Sequence, residues 1–352
     1  MLNLATLVDT VQTNCDISDA QHAGDYTLCT YLLKMREYFR WEHEIPYFAE
    51  VPQSDLGAWL SARERRWDDV ETVPLRMLPL ASAELDPFAS DEINRMLLPH
   101  GYVYSGGYGR FHKPLFFLGR LRERKQIHGF TVLVSSCEYA RELAAPPAMF
   151  QGGTIYVREE SARRFVWEKI DEWQWNKQEN AMSRAMAGYD FNDKPRALEA
   201  MTRDAMDIMV WHEIGEGLVG EELGERWTSL LAGLSRSRAE IVARAVRDHL
   251  ADCRSTLPAL LARAHAPSLH FYFANLDGVR KELFGDLHRA YKQWVATGEL
   301  RALHEVVTQD ADHWLQVAAS FIDSFDRDPA QARASMEQLL AASCALKPAA
   351  PN

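Results

Sequence analysis

The chain has 352 residues, with 39 Lys and Arg against 50 Asp and Glu, so its formal net charge is −11. Hydrophobic residues make up 47% and charged residues 25%, which excludes a disordered chain, a collagen-like fibre and a disulfide-stapled miniprotein. The acidic balance also argues against nucleic acid or an anionic membrane as the main partner, because both attract clustered Lys and Arg. The chain is long enough for one large domain or two modest ones.

The five cysteines are dispersed and form no CxxC pair, a pattern typical of reduced thiols in the cytosol. The first nine residues lack the basic start of a signal peptide, and no apolar run approaches the roughly 18 residues that a membrane span needs. We therefore expect a cytoplasmic protein with no membrane partner.

Residues 1–100 are predicted to form an N-terminal helical region. Apolar residues at helical spacing predict a helix over 27–44, which ends before Pro46 because a residue preceding proline is pushed out of the α region. The segment 29–42, Cys-Thr-Tyr-Leu-Leu-Lys-Met-Arg-Glu-Tyr-Phe-Arg-Trp-Glu, resembles uncharacterised bacterial proteins, and this resemblance implies no activity.

Residues 101–158 are rich in glycine and aromatic side chains and predict a small β-rich region. Strands are expected at 116–118, 130–134 and 153–157. Because the connections look too short for crossover helices, the sheet is predicted to be antiparallel.

From 159 to 346 the apolar spacing predicts a C-terminal helical region, and a flexible tail is expected over 347–352. The predicted fold class is therefore α+β and predominantly α-helical: a helical bundle with one small antiparallel sheet.

Polar residues interrupt an apolar helix face near residue 212. The preceding stripe continues by one and two turns to His212 and Glu216, so two polar side chains occupy positions that the pattern reserves for the core. Burying them costs several kcal/mol unless partners or a metal ion satisfy them. That stripe comprises Leu198, Met201, Ala205, Ile208 and Met209.

The segment His212-Glu213-Ile214-Gly215-Glu216 resembles the HExxH helix of zincin metallopeptidases. The resemblance implies that His212 holds zinc and that Glu213 polarises a water molecule. Glu216 stands where that family has its second His, and a carboxylate at this position also admits iron or manganese.

A second helix, predicted over 238–264, carries His249 on its apolar stripe and Asp252 near it. If the two helices pack as a hairpin, His212, Glu216 and His249 meet at one point, which gives a two-His-one-carboxylate ligand set. Asp252 is then a fourth ligand or a hydrogen-bond partner of a ligand histidine. The alternative is a core in which these groups only hydrogen-bond to each other or to Arg and Tyr of a packed helix.

Two weaker candidates lie earlier in the chain. Glu42 continues an apolar stripe, and it is either an additional ligand or an ion-pair partner. Arg110 and His112 lie in a segment with several basic residues and are candidates for binding a substrate anion at the rim of a cleft.

The leading hypothesis is a metal-dependent hydrolase, with a peptidase-like enzyme as one candidate, in which zinc activates water and Glu213 transfers the proton to the leaving group. It would act on a small-molecule or peptide substrate. One alternative is a non-haem iron or manganese oxidase or oxygenase with the two-His-one-carboxylate set. The other alternative is a non-enzymatic helical interaction protein. The sequence does not indicate the oligomeric state.

Overall fold

The computed structural model of the protein describes residues 2–80, 83–109, 112–234 and 237–345. About two-thirds of the chain (67%) is helical, which confirms the predicted helical content. The chain divides into two units. The N-terminal unit comprises the described residues up to Glu168 together with Asp193–Thr202, and the C-terminal unit comprises Lys169–Asn192 with the described residues from Arg203 onward.

In its described residues, the N-terminal unit contains four complete α-helices and seven strands. The helices are α1 (Leu4–His22), α2 (Leu28–Glu42), α3 (Gln53–Val70) and α4 (Ser90–Leu97), and α5 (Glu159–Asn176) begins in this unit. The strands are β1 (Leu78–Leu80), β2 (Ala83–Leu85), β3 (Tyr102–Tyr108), β4 (Pro114–Ile127), β5 (Phe130–Arg141), β6 (Ala148–Gln151) and β7 (Thr154–Arg158).

The main sheet has five strands in the order β3-β4-β5-β7-β6, and β1 pairs with β2 in a separate hairpin. Strands β4 and β5 are long, and their pairing shifts register between Leu118 and Gly119 and again near Leu121. Such bulges increase the local twist, and the sheet curls into a half-barrel. At Gly119 a Cβ atom would lie 2.6 Å from the carbonyl oxygen of Cys137, so a glycine is needed where the strands approach.

The predicted fold class is wrong, because the protein is not a simple helical bundle with one small antiparallel sheet. The main sheet is mixed, since β5 and β7 pair in parallel. The expectation of an antiparallel sheet assumed that a parallel pair needs a crossover helix. Here strand β6 makes the return instead: it follows β5, takes the outer edge of the sheet, and turns back into β7.

The interior of the N-terminal unit contains ion pairs as well as apolar side chains. Arg158 donates to Glu138 at 2.5 Å and to Glu142 at 3.0 Å, and all three side chains are buried. Glu138 also accepts from the hydroxyl of Ser161 at 2.6 Å. Burial alone would raise the pKa of Glu138, but the charges of Arg158 and Arg141 outweigh it and lower the pKa from 4.5 to about 2.

The C-terminal unit is all-helical in the part of the chain that is described. It contains the end of α5 and most of α7 (Lys194–Gly233), a long helix with a kink at Gly224, where φ is +65°. The remaining helices are α6 (Ala181–Met186), α8 (Arg238–Ala251), α9 (Leu257–Arg263), α10 (Ala266–Ala274), α11 (Gly278–Leu283), α12 (Gly285–Thr297), α13 (Arg301–Arg327) and α14 (Pro329–Ala345). No helix in the described ranges is long and apolar enough to cross a membrane.

A single π-helical turn, Asp252–Thr256, joins α8 to α9. Pro258 follows it in the first turn of α9. Proline has no N–H group and its ring clashes with the carbonyl four residues earlier, here that of Arg254. A wider turn relieves that clash, which accounts for a π turn at this place in the helix.

Acidification is expected to weaken the N-terminal unit through Glu138. A carboxyl whose pKa is lower in the folded than in the unfolded chain stabilises the fold above its ordinary pKa, and this contribution is lost as the pH falls. Glu138→Gln is expected to lower the free energy of unfolding by about 3 kcal/mol at pH 7, because Arg158 loses a buried partner. The free energies of unfolding of the variant and wild type should approach each other as the pH falls from 4.5 to 2, the ordinary and lowered pKa values of Glu138. Urea unfolding at several pH values measures this.

Glu123→Gln is the matched control, because Glu123 pairs with Lys125 at 3.0 Å on an exposed part of β4. Its effect should stay below about 1 kcal/mol. A difference between Glu138→Gln and wild type that does not change with pH would contradict this assignment.

Candidate functional site

Two helices of the C-terminal unit approach closely at Gly215. A Cβ atom built on Gly215 of α7 would lie 2.5 Å from the carbonyl oxygen of Ala251 at the end of α8. No side chain fits in that gap, and glycine is the residue that lets the two backbones meet. The contact fixes which residues of α7 and α8 face each other on either side of it.

A polar cluster lies beside this contact. His212 and Glu216 are one turn apart on α7, and Asp248 of α8 and Asp252 are one turn apart on the facing helix. His212, Glu216 and Asp248 each place one ligand atom within 4.8 Å of the other two. Among the described residues this is the group whose donor atoms could hold a metal ion.

Asp252 holds the ring of His212 in place. The Nδ1 atom of His212 lies 2.9 Å from Oδ1 of Asp252, and its Nε2 atom lies 3.4 Å from Oε1 of Glu216. Asp252 is fully buried and also accepts from the hydroxyl of Tyr272 at 2.7 Å. The hydrogen bond to Nδ1 leaves Nε2 directed towards Glu216, which is the way a carboxylate orients a ligand histidine.

Two arginines supply positive charge to the same carboxylates. One nitrogen of Arg247 lies 2.5 Å from Glu216 and 3.0 Å from Asp248, so it bridges the two. Arg280 pairs with Asp252 and reaches to 3.9 Å from Asp248. With His212 protonated, three positive groups balance these three carboxylates.

The pKa directions follow from these contacts. Burial acts to lower the pKa of His212, but the charge and hydrogen bond of Asp252, with those of Glu216, raise it well above its usual range. Burial would raise the pKa of Glu216, yet Arg247 and His212 hold it below its ordinary value. At neutral pH His212 is therefore protonated and Glu216 is ionised.

His249 lies apart from this group. Its ring is fully buried, with the centroid 4.7 Å from that of Phe284 and 4.9 Å from that of Trp314. No described residue gives either ring nitrogen a hydrogen bond of ordinary geometry. Burial, helped by the positive charge of Arg280, lowers the pKa of His249 to about 3, so the imidazole is neutral. His249 lies on the apolar face of α8, and that face packs into the aromatic core.

Glu213 follows His212 on α7 and is half-buried. Its charge raises the pKa of Arg247, which places its carboxylate near the cluster without making it part of the three-residue group.

The other predicted site residues belong to the N-terminal unit. Both carboxylate oxygens of Glu42 bind Arg63, at 2.7 and 2.5 Å, and one also accepts from Trp59, so Glu42 is held as an ion-pair partner. His112 is exposed, with φ at +60°. Arg110 lies outside the described residues.

Four residues of the cluster were absent from the predicted set: Asp248, Arg247, Tyr272 and Arg280. The sequence could have indicated Asp248, because it lies four residues before Asp252, the same spacing as His212 and Glu216 on the facing helix. Arg247 could have been considered only as the neighbour of Asp248. Tyr272 and Arg280 lie on α10 and α11, which reach the cluster only through tertiary packing, and nothing in their local pattern distinguishes them.

Comparison with known proteins gives a family but no activity. Models of the family of unknown function DUF6866 match the chain in two parts, the N-terminal domain over residues 6–158 and the C-terminal domain over residues 163–343. The chain therefore belongs to this family, which confirms the resemblance to uncharacterised proteins; no similarity to zincin metallopeptidases is found. No curated protein and no solved structure matches the chain.

The helix contact predicts opposite effects for two glycines on α7. Gly215→Ala places a methyl group against the Ala251 carbonyl and is expected to lower the free energy of unfolding by about 1–3 kcal/mol. Gly220→Ala meets no atom within 4 Å and should raise it by up to about 1 kcal/mol, because alanine favours the helix. Equilibrium denaturation of both variants measures this, and equal effects would contradict the close contact.

Proposed function

We propose that the C-terminal unit binds one divalent metal ion through His212, Glu216 and Asp248 and uses it to hydrolyse a small-molecule or peptide substrate. The observation that supports this is that three donor atoms lie within 4.8 Å of one another. They belong to two helices whose backbones are in contact at Gly215. Three protein ligands leave a coordination position for water, as catalytic sites require.

The donor set bears on the choice of metal. One imidazole and two carboxylates suit zinc, and they also suit manganese or iron, which favour oxygen ligands. Zinc remains the leading candidate for a hydrolase. The oxidase or oxygenase alternative required two histidines, and the described structure brings only His212 to the cluster.

The surrounding residues define the roles in such a site. A bound divalent ion would lower the pKa of a water molecule towards about 7 and polarise a substrate carbonyl. Asp252 would hold the His212 ring through Nδ1, as it does without metal, and Nε2, which now faces Glu216, would bind the ion once it had lost its proton. Glu213 would accept the proton of the attacking water and deliver it to the leaving group.

Arg247 has to leave the carboxylates when a cation enters, because its guanidinium now lies between Glu216 and Asp248. Its side chain is about one-fifth exposed, at 19%, and carries a long flexible stem. Once displaced, it would remain near the site as a positive group suited to a substrate carboxylate or to charge that develops during reaction.

A cytoplasmic location fits a reduced-thiol protein of this composition and belongs to the same proposal.

A second candidate function is supported by that same arginine. If Arg247 stays in place, the cluster is a neutral ionic interlock that joins α7, α8 and α11, and the C-terminal unit serves as a helical interaction module. The bridging geometry of Arg247 favours this reading, because buried ion pairs and networks can fix one packing arrangement without any ligand.

Metal content separates the two candidates. Protein purified without added metal and then loaded with Zn²⁺ should hold one equivalent by elemental analysis. His212→Ala and Asp248→Asn should each weaken binding at least about tenfold, since each removes a ligand. His249→Leu is the control and should keep the metal. Binding that is unaffected by the ligand variants, or lost in His249→Leu, would contradict the assigned ligand set.

Glu213→Gln tests the hydrolytic role separately. It should keep the metal but lower the rate of hydrolysis of chromogenic esters or peptide amides about 10²-fold or more, because the group that transfers the proton is gone. Full metal occupancy with no hydrolysis by wild type would leave the metal site standing and overturn the hydrolase.

Arg247→Gln tests the interlock. Without metal the variant should lose about 3 kcal/mol of stability, because Glu216 and Asp248 each lose their nearest positive partner. If the cluster is a metal site, Zn²⁺ or Mn²⁺ should restore the melting temperature in a concentration-dependent way. Arg244→Gln, which breaks the pair with Glu240 one turn earlier, should show no such rescue. Equal behaviour of both variants with metal would favour the interlock.

A further inference from the structure

A recess of about 440 Å³ opens elsewhere in the C-terminal unit. Helices α6, α10, α11 and α12 line it, together with the turn between α10 and α11. The volume is within the range of small-molecule sites, roughly 300–1,000 Å³. None of the residues of the polar cluster lines it, so it is a separate place in the molecule.

Positive charge converges on this recess from three helices. Arg184 of α6, Lys281 of α11 and Lys292 of α12 all line it, and Asp277 is the one carboxylate among its described lining residues. Within the described structure, neither lysine forms an ion pair with a carboxylate. Arg184 pairs with Glu179 at 2.9 Å, and the side chain of Glu179 is 83% exposed. A local excess of cations is notable in a chain whose net charge is −11.

The histidine in the recess responds to both lysines. Burial lowers the pKa of His288, and the charges of Lys281 and Lys292 lower it further. Two ammonium groups from different helices therefore act on the same imidazole, which agrees with their convergence on one space. The two lysines have no carboxylate partner among the described residues, whereas Arg184 pairs with the exposed Glu179, so an excess of positive charge remains to attract an anion.

Aromatic rings form part of the wall. The rings of Phe273 and Tyr291 stack with centroids 4.1 Å apart, and both residues line the recess. The hydroxyl of Tyr291 lies 3.0 Å from Nδ1 of His270, which anchors that ring. The recess therefore combines an apolar aromatic surface with cationic groups, which is the usual composition of a small-molecule pocket.

We propose that this recess binds a small phosphate ester with an apolar or aromatic body, such as a nucleoside monophosphate. Two lysines and an arginine that approach from three helices suit a group with three acceptor oxygens and up to two negative charges better than they suit a single carboxylate. The phosphate would lie among Arg184, Lys281 and Lys292, and the organic body would pack along Phe273 and Tyr291. This inference does not depend on the metal centre.

Calorimetric titration with adenosine monophosphate tests the proposal, with adenosine, inorganic phosphate and benzoate as comparison ligands. The nucleotide should bind, and the other three should bind at least about tenfold more weakly. Adenosine and benzoate lack the phosphate, and inorganic phosphate lacks the organic body. No binding of the nucleotide up to about 10 mM would overturn the proposal, as would benzoate binding as well as the nucleotide.

Variants of the charged lining residues test whether the nucleotide binds in this recess. Lys281→Ala and Lys292→Ala should each weaken nucleotide binding about tenfold, as loss of a charge-assisted contact does. Asp277→Asn should strengthen it, because the one opposing carboxylate is removed. Arg289→Ala is the matched control on α12, since Arg289 is exposed and outside the lining. Equal effects of Lys281→Ala and Arg289→Ala would mean that the nucleotide binds elsewhere.

A spectroscopic readout locates the ligand independently. Bound phosphate would offset the two lysine charges, so the pKa of His288 should rise on binding when its ring protons are followed by NMR. A pKa for His288 that stays constant while the nucleotide saturates the protein would place the ligand outside the recess.

Discussion

The carbonyl oxygen of Ala251 leaves no space for a side chain on the facing helix, and Gly215 stands at that point. This steric constraint determines the geometry of the C-terminal unit around the polar cluster. With the two backbones in contact, the pair His212 and Glu216 on one helix faces the pair Asp248 and Asp252 on the other, and their functional groups come within reach of one another. A larger residue at 215 would separate the helices and disperse the cluster.

Charge compensation is the second organising principle, and it operates in both units. In the N-terminal unit, Arg158 between Glu138 and Glu142 satisfies carboxylates that would be very costly to bury alone. In the C-terminal unit, Arg247 and Arg280 do the same for the facing acids. The difference lies in exposure: Arg158 is buried, whereas Arg247 is partly accessible. For that reason the proposed metal site is the second cluster.

Local pattern predicted some of this and missed the rest for physical reasons. The helix predicted over 27–44 corresponds to α2, which spans Leu28–Glu42 and is capped by the side chain of Thr27. The interruption of an apolar stripe at 212 and 216 directed attention to the face that meets Asp252. The same reasoning placed His249 with them, but a histidine on a stripe can also simply enter the core, and Phe284 and Trp314 enclose it. The parallel pairing of β5 and β7 depends on where β6 goes, and Arg280 reaches the cluster from a separate helix; both are tertiary facts without a periodic signal.

Anomalous diffraction from crystals of the protein loaded with Zn²⁺ tests the claim that the polar cluster holds a metal ion. We expect one peak within bonding distance of Nε2 of His212 and of one oxygen each from Glu216 and Asp248. Arg247 should be displaced and the His212–Asp252 hydrogen bond kept. A site without a peak, with Arg247 still bridging the two carboxylates at saturating metal, would contradict the claim and leave the cluster as an ionic interlock.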